Sequence, residues 1–244
     1  MRSHRMSGQG AMVEGYGVPP AQGTVRVATS TDVAAVASLH SKAIAEGFLS
    51  SLGNRFLVRL YARIVRSPHG FLLVAEREAP TAGTESDAAC PGDVVGFVAG
   101  SAAVGLLYRE FLWRDGLAVA FSSGIKLAQA LPKVVETLRH GSRDDPAQTR
   151  AGKAHGSAPT ETELLAMAVD GRARRHGIGA ALVESFIESA RATGSESARV
   201  VVAAENRAAI ALYAGAGFGD PTPFELHSGT PSLVLRATLT RVLP

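Results

Sequence analysis

Cysteine is nearly absent: Cys90 is the only one in 244 residues. That excludes an intramolecular disulfide and any cysteine-based metal centre, and its Pro, Gly and Ala neighbours read as a loop. Long apolar runs are missing too. The best, Gly116 to Ile125, contains two serines and stops at Lys126, well short of the roughly 20 residues a membrane-spanning helix needs. The amino terminus lacks the apolar core of a signal peptide, so a reducing cytoplasm is the expected location. Nor is there a large charge of one sign. The formal net charge is +3 and the pI near 9.3, too small a basic field to imply a nucleic acid partner. The excess is local, with eight bases against five acids between Ala102 and Ala158, which reads as a solvated surface or a docking patch for an acidic partner.

What the chain has is enough apolar residue, 46%, to fill a sizeable core. Residues 1–23, rich in Gly, Ser and Pro without apolar periodicity, read as a disordered tail, so the folded domain is expected over residues 24–244. Thr24 to Ala28 reads as a strand, and Ser30, Thr31 and Asp32 offer capping side chains before a helix that carries Val33, Val36, Ala37, His40 and Ile44 on one face and breaks at Gly47. A second helix is predicted from about Gly53 to Arg66. Phe56, Leu57, Leu60, Tyr61, Ile64 and Val65 line one side of it, and Arg55, Arg59, Arg63 and Arg66 the other. That arginine row is a solvated face or a docking stripe for a membrane surface or an acidic polymer.

Phe71 to Glu76 and Val94 to Gly100 read as strands that could form a hairpin. From about Val104 to His140 the pattern is helical, with breaks expected near Asp115-Gly116 and Pro132. These helices form an insertion, about residues 102–160, that covers a pocket or packs on a partner, a homodimer included. Glu163 to Val169 is apolar on both faces, as in a central strand. A long helix follows, with Ile178, Leu182, Val183, Phe186, Ile187 and Ala190 on its apolar side. Then come a strand from Arg199 to Ala203, a helix capped by Asn206, and a hairpin from Phe224 to Leu226 and Leu233 to Leu239.

The chemistry concentrates between the central strand and the long helix, where Val169 to Ala180 reads Val-Asp-Gly-Arg-Ala-Arg-Arg-His-Gly-Ile-Gly-Ala. A helix amino terminus leaves backbone N–H groups unpaired and carries partial positive charge, so a phosphate satisfies both. The glycines admit it, and Arg174 and Arg175 favour a pyrophosphate. A dinucleotide fingerprint would need a third glycine and a following acid, and a nucleoside-triphosphate loop would need Gly-Lys-Ser/Thr; neither is present. One helix and one strand later, Asn206 to Phe218 reads Asn-Arg-Ala-Ala-Ile-Ala-Leu-Tyr-Ala-Gly-Ala-Gly-Phe. Together the two segments resemble the paired motifs of the GCN5-related N-acetyltransferase (GNAT) family: Arg/Gln-x-x-Gly-x-Gly/Ala after the fourth strand, and Asn-x-x-Ala-x-x-Leu-Tyr-x-x-x-Gly-Phe on the fourth helix.

The resemblance, strong from Glu163 to Phe218, implies an α/β fold with a mixed twisted sheet flanked by helices and, here, a helical insertion before the fourth strand. It implies an acyltransferase that moves an acetyl group from acetyl-CoA to an amine acceptor, by direct attack in a ternary complex and without a metal. By resemblance, Met167 and Val169 offer main-chain groups to the pantetheine arm. Arg174, Arg175, His176, Gly177, Ile178, Gly179 and Ala180 wrap the pyrophosphate, Asn206 sits beside the pantetheine, and Tyr213 beside the sulfur as general acid. Where some peptide-acetylating members hold a glutamate on the fifth strand, this chain has Val201, so the base candidates are Glu163 and His40, the latter also readable as a core histidine. The acceptor is expected to be a small-molecule amine or amino sugar under a roof formed by the insertion. The alternatives are a protein or peptide acceptor, or a non-catalytic acyl-CoA-binding module.

Overall fold

Strand alternation and helical spacing resolve into one mixed sheet with helices on both faces. The computed structural model describes residues 23–45, 48–77, 93–123, 160–225 and 231–239. The strands are β1 Gly23–Val27, β2 Gly70–Arg77, β3 Val94–Ser101, β4 Glu161–Val169, β5 Ser197–Ala203, β6 Gly219–Glu225 and β7 Pro231–Thr238, in the order β1-β2-β3-β4-β5-β7-β6. Neighbours are antiparallel except β4 and β5, which are parallel. The helices are α1 Val33–Ala43, α2 Phe48–Ser51, α3 Asn54–Arg66, α4 Val104–Ser123, α5 Ile178–Ala192 and α6 Arg207–Gly215. The expected tail lies outside the described residues except Gly23, which already pairs with Arg77 as part of β1. Gly47, Cys90 and Pro132 also lie outside them.

Each face of the sheet has its own apolar layer. On one side Val36, Ala37 and His40 of α1 meet Leu57, Leu60, Tyr61 and Ile64 of α3, Leu107 and Phe111 of α4, and Phe97 of β3. On the other, Leu182, Val183, Phe186 and Ala190 of α5 cover Leu73, Val98, Val200 and Leu235, with Tyr213 and Phe218 beside them. Full burial of each such side chain is worth about 1.5–3 kcal/mol. Two glycines of β3 set the spacing: a Cβ on Gly96 would stand 2.9 Å from Leu182 Cδ1, and one on Gly100 2.7 Å from Phe186 Cε2.

Three local expectations are corrected. Asp32 does not cap α1; its buried carboxylate accepts from the Thr29 N–H at 2.7 Å and from both terminal nitrogens of Arg26 at 2.8 and 2.9 Å. Arg26 also reaches Glu76 of β2, so the charge ties two strands to the start of α1. Helix α4 runs unbroken through Asp115 and Gly116, because an interior glycine costs a helix only about 1 kcal/mol and tertiary packing overrides it. Arg63 is not on the wet arginine row. It is buried, with Nε donating to Asp115 Oδ2 at 2.7 Å and Nη1 3.5 Å from Glu110 Oε1. With Ser67 donating to Glu110 Oε2 at 2.7 Å and the Phe56 and Phe111 rings edge to face at 5.4 Å, α4 is fixed as part of the core.

The feature that places the site is a split in the sheet. β4 and β5 pair only from Glu161–Ser197 to Leu164–Val200, although β4 runs on to Val169 and β5 to Ala203. At the split the β3–β4 register slips between Ala99↔Ala166 and Gly100↔Leu164, leaving Leu165 as a bulged residue. Bulges bend a strand and raise its twist, which turns β4 away from β5.

Candidate active site

The floor of the split is main chain. Asp170 N–H donates to Val95 O at 2.8 Å, and successive residues of a strand point their backbone groups to opposite sides. Ala168 and Asp170 therefore face β3, whereas the N–H and C=O groups of Met167 and Val169 face the gap toward β5. The Val169 carbonyl also receives Arg174 Nε at 3.3 Å.

Beyond Val169 the chain makes a short helical turn, Gly171–Ala173, closed by Asp170 Oδ1 accepting the Arg172 N–H at 2.9 Å. Ala173 is buried and anchors the turn, while Arg172, Arg174, Arg175 and His176 are exposed. Arg175 and Gly177 both adopt left-handed backbone, with φ of 68° and 75°. For a non-glycine residue that conformation costs about 1–2 kcal/mol, a cost that turns of this kind carry at binding sites. Gly177 is the cap residue of α5 without any side-chain cap, and the first bond inside the helix is Ala181 N–H to Gly177 O at 3.0 Å. The N–H groups of Ile178, Gly179 and Ala180 thus precede the helical ladder, directly after a turn that carries Arg172, Arg174 and Arg175. Ile178 itself is buried against Gly96. A Cβ on Gly179 would stand 3.3 Å from Leu212 Cδ2 of α6, so this glycine lets α5 and α6 approach.

Asn206 sits at the end of β5, and its Oδ1 accepts the Ala209 N–H at 3.1 Å, so it caps α6. Its amide nitrogen keeps two donors on an exposed side chain. Tyr213 is 5% exposed, its ring 5.7 Å from that of Phe218. Burial pushes the phenol up to about 12, so it holds its proton throughout the neutral range. The Tyr213 hydroxyl has no hydrogen-bond partner among the described residues, yet it is not among their fully enclosed polar atoms, so it opens onto solvent-accessible space.

The two base candidates diverge. Leu164 packs in the Tyr213 layer, so Glu163 points to the opposite face, close enough to Tyr108 of α4 for its charge to help hold that phenol protonated. Glu163 Oε2 receives Arg199 Nε at 3.0 Å and also Nη2, leaving Oε1 without a partner among the described residues. Glu161 and Arg236 extend this ladder, at 3.3 Å between Arg236 Nε and Glu161 Oε1. His40 is a core residue, 2% exposed, stacked on Phe97 at 6.1 Å and joined through Nδ1 to the Tyr61 hydroxyl at 2.6 Å. Desolvation lowers it to about 4, which leaves a neutral ring of little basicity. Tyr213 and Glu163 therefore lie on opposite faces of the sheet, Glu163 within the paired base below the split.

The profile described as "Acetyltransferase (GNAT) family" matches residues 49–218, a span that holds α3, both motifs and the split between β4 and β5. The chain belongs to the GNAT acetyltransferase family. Solved structures share the fold at low identity. They include one titled as an acetyltransferase (21% identity, covering 89% of this chain and 100% of that one, TM-score 0.51). The Arabidopsis thaliana NAA60 structure in complex with acetyl-CoA matches at 15% identity, 89% and 98% coverage and TM-score 0.52. Ard1 from Thermoplasma volcanium matches at 18% identity, 90% and 99% coverage and TM-score 0.52. No curated protein sequence matches.

Within this GNAT chain, sequence reasoning missed Arg199 as the partner of Glu163. The signal was the strand period: Glu161, Glu163 and Arg199 stand on alternate positions of adjacent parallel strands, where opposite charges meet. Among the described residues no group of three His, Cys, Asp or Glu side chains is placed to hold a metal ion, and no helix is long and apolar enough to cross a membrane.

Proposed function

We propose that the chain is an acetyl-CoA-dependent N-acetyltransferase that acts on a primary amine of a small molecule or amino sugar, by direct attack within a ternary complex. The observation that carries this is the continuity of the split with the turn beyond it. The main-chain groups of Met167 and the N–H of Val169 suit an amide-bearing pantetheine arm laid like a strand, while the Val169 carbonyl holds Arg174. They lead to the unpaired amides of Ile178, Gly179 and Ala180 and to Arg174 and Arg175, a match for a pyrophosphate. Arg175, His176 and Gly177 shape the turn through their backbone, and the spare amide of Asn206 borders the arm from β5.

The amine nitrogen bonds to the thioester carbon, the C–S bond breaks, the amine loses one proton and the departing thiolate gains one. Tyr213 supplies the thiolate proton from the α5–α6 face. On the other face, Glu163 Oε1 accepts the amine proton while Arg199 holds the second oxygen and fixes the carboxylate's orientation. Backbone N–H groups on the open edge of β4 stabilise the developing oxyanion. Tyr108, set beside Glu163 by an α4 that is locked to α3, supports a walled acceptor site of small-molecule size.

Thermal shift with acetyl-CoA, NAD and ATP tests the cofactor, because a ligand that binds only the folded state raises Tm by mass action. Acetyl-CoA should give by far the largest shift; equal shifts would reduce the turn to a general anion site. Release of free thiol with a panel of amines, amino sugars and peptides tests the acceptor. Turnover with peptides alone would overturn the small-molecule reading.

A further inference from the structure

The outer faces of α3 and α4 carry a surface that acetyl transfer does not use. On α4, Leu106, Arg109 and Trp113 recur at three- and four-residue spacing and so share one face, opposite the buried Leu107 and Phe111. Trp113 is 82% exposed and Leu106 39%, an unusual position for the chain's one tryptophan. On α3, Arg55, Arg59 and Arg66 share the face opposite Leu57, Tyr61 and Ile64, and Asn54–Arg66 contains no acid. The two helices pack side by side: Arg114 of α4 lies 3.6 Å from Glu110, and the same Glu110 oxygen is 3.5 Å from the buried Arg63 of α3. The acids at this junction, Glu110 and Asp115, are thereby taken by Arg63, Ser67 and Arg114. Arg55, Arg59, Arg66 and Arg109 have no ion-pair partner among the described residues.

We propose that these paired helix faces dock the enzyme on an anionic phospholipid surface, with Trp113 and Leu106 at headgroup level and the arginines on lipid phosphates. The chemistry is matched in both parts. An indole beside a leucine prefers the membrane interface to water, and guanidinium groups on long stems reach phosphate while their methylenes stay against the acyl boundary. Tryptophan and arginine also mark protein interfaces; an indole and a leucine in one row beside unpaired arginines on a neighbouring helix favour the bilayer interface, and soluble polyglutamate is the control that separates the two. This inference is independent of the acceptor's identity.

Because Trp113 is the only tryptophan, the surface carries its own reporter. Intrinsic fluorescence of the full chain is titrated with vesicles of phosphatidylcholine, and with vesicles containing about one third phosphatidylglycerol, where each nearby arginine contributes about 1 kcal/mol, roughly a fivefold change in partitioning. The expected result is a blue shift with the anionic vesicles only, reversed by high salt. R55Q/R59Q/R66Q should then partition about 100-fold more weakly. W113A should lose binding in a sedimentation assay while keeping the wild-type Tm, since both sets of side chains project into solvent. Four results would each overturn the proposal: no shift at saturating lipid, an equal shift with neutral vesicles, the same shift with soluble polyglutamate, or a shift that grows with protein concentration without vesicles. The third would assign the face to an acidic protein and the fourth to a second copy of the chain.

Discussion

Acidification should weaken the α1 core through a single residue, His40. Its ordinary pKa of 6.5 falls to about 4 in the fold, because the ring is 2% exposed and its Nε2 is enclosed without a partner. Above 6.5 the ring is neutral in both states and contributes no pH dependence. As pH drops below 6.5 the unfolded chain takes up a proton that the folded chain refuses, so stability falls. The loss is complete once pH passes below about 4, where both states are protonated. The interval, 6.5 − 4, is about 2.5 units, which at 1.36 kcal/mol per unit is about 3 kcal/mol, with a slope approaching 1.4 kcal/mol per pH unit near pH ~5. Urea unfolding of wild type and His40→Gln from pH ~7.5 to ~4.5 isolates the effect, since Asp32 and the other carboxylates titrate alike in both. The variant should start about 1–2 kcal/mol less stable, having weakened the bond to Tyr61, but lose stability less steeply. Parallel curves would refute the reasoning and show that His40 is as free to protonate in the fold as outside it.

Three further outcomes follow from the geometry. Tyr213→Phe should lower kcat about 10–100-fold with little change in acetyl-CoA affinity, easing at high pH where thiolate needs no proton; full activity in steady-state assays would remove the phenol from the mechanism. Arg63→Met strands Asp115 at a half-buried junction, leaving Glu110 to Ser67 and Arg114, and should cost about 2–3 kcal/mol, or roughly 5–10 °C in Tm. It should also raise the acceptor KM more than the acetyl-CoA KM, because Tyr108 rides on the loosened helix; equal effects on both constants would detach α4 from the acceptor. Gly100→Ala places a methyl 2.4 Å from Phe71 Cζ and 2.7 Å from Phe186 Cε2, so a loss of about 2 kcal/mol or more is expected in denaturant titration; an unchanged midpoint would mean that α5 does not press on the sheet there.

The parts of this molecule that sequence made legible are those whose partners lie nearby in the chain. Asn206 caps its own helix three residues on, and the apolar row from Ile178 to Ala190 follows from helical period alone. The corrected parts depend on partners far away. Arg63 stands in a row of four arginines that periodicity cannot distinguish, and only the approach of α4, some fifty residues later, selects it for burial. Asp32 has the right type for a cap, but Arg26 competes for its carboxylate and wins with two charged bonds. Within the stretch read as an insertion, Phe111 and Trp113 stand two residues apart on a helix and face opposite ways, one into the core and one into water.

A strand that stops pairing normally becomes an edge, and free edges recruit other chains into aggregates. The split between β4 and β5 places its unpaired lengths inside the sheet instead of on its rim. Leu165–Val169 faces only Val201–Ala203 across a wedge whose base is closed by Glu161–Leu164 pairing with Ser197–Val200. α5 packs behind both strands and the arginine-bearing turn stands at the mouth. A foreign β-strand therefore finds no continuous ladder to extend, and one that enters meets positive charge. The backbone groups that the proposed pantetheine arm would meet are thereby kept from nucleating β-addition, so one distortion of the sheet both opens a gap and guards it.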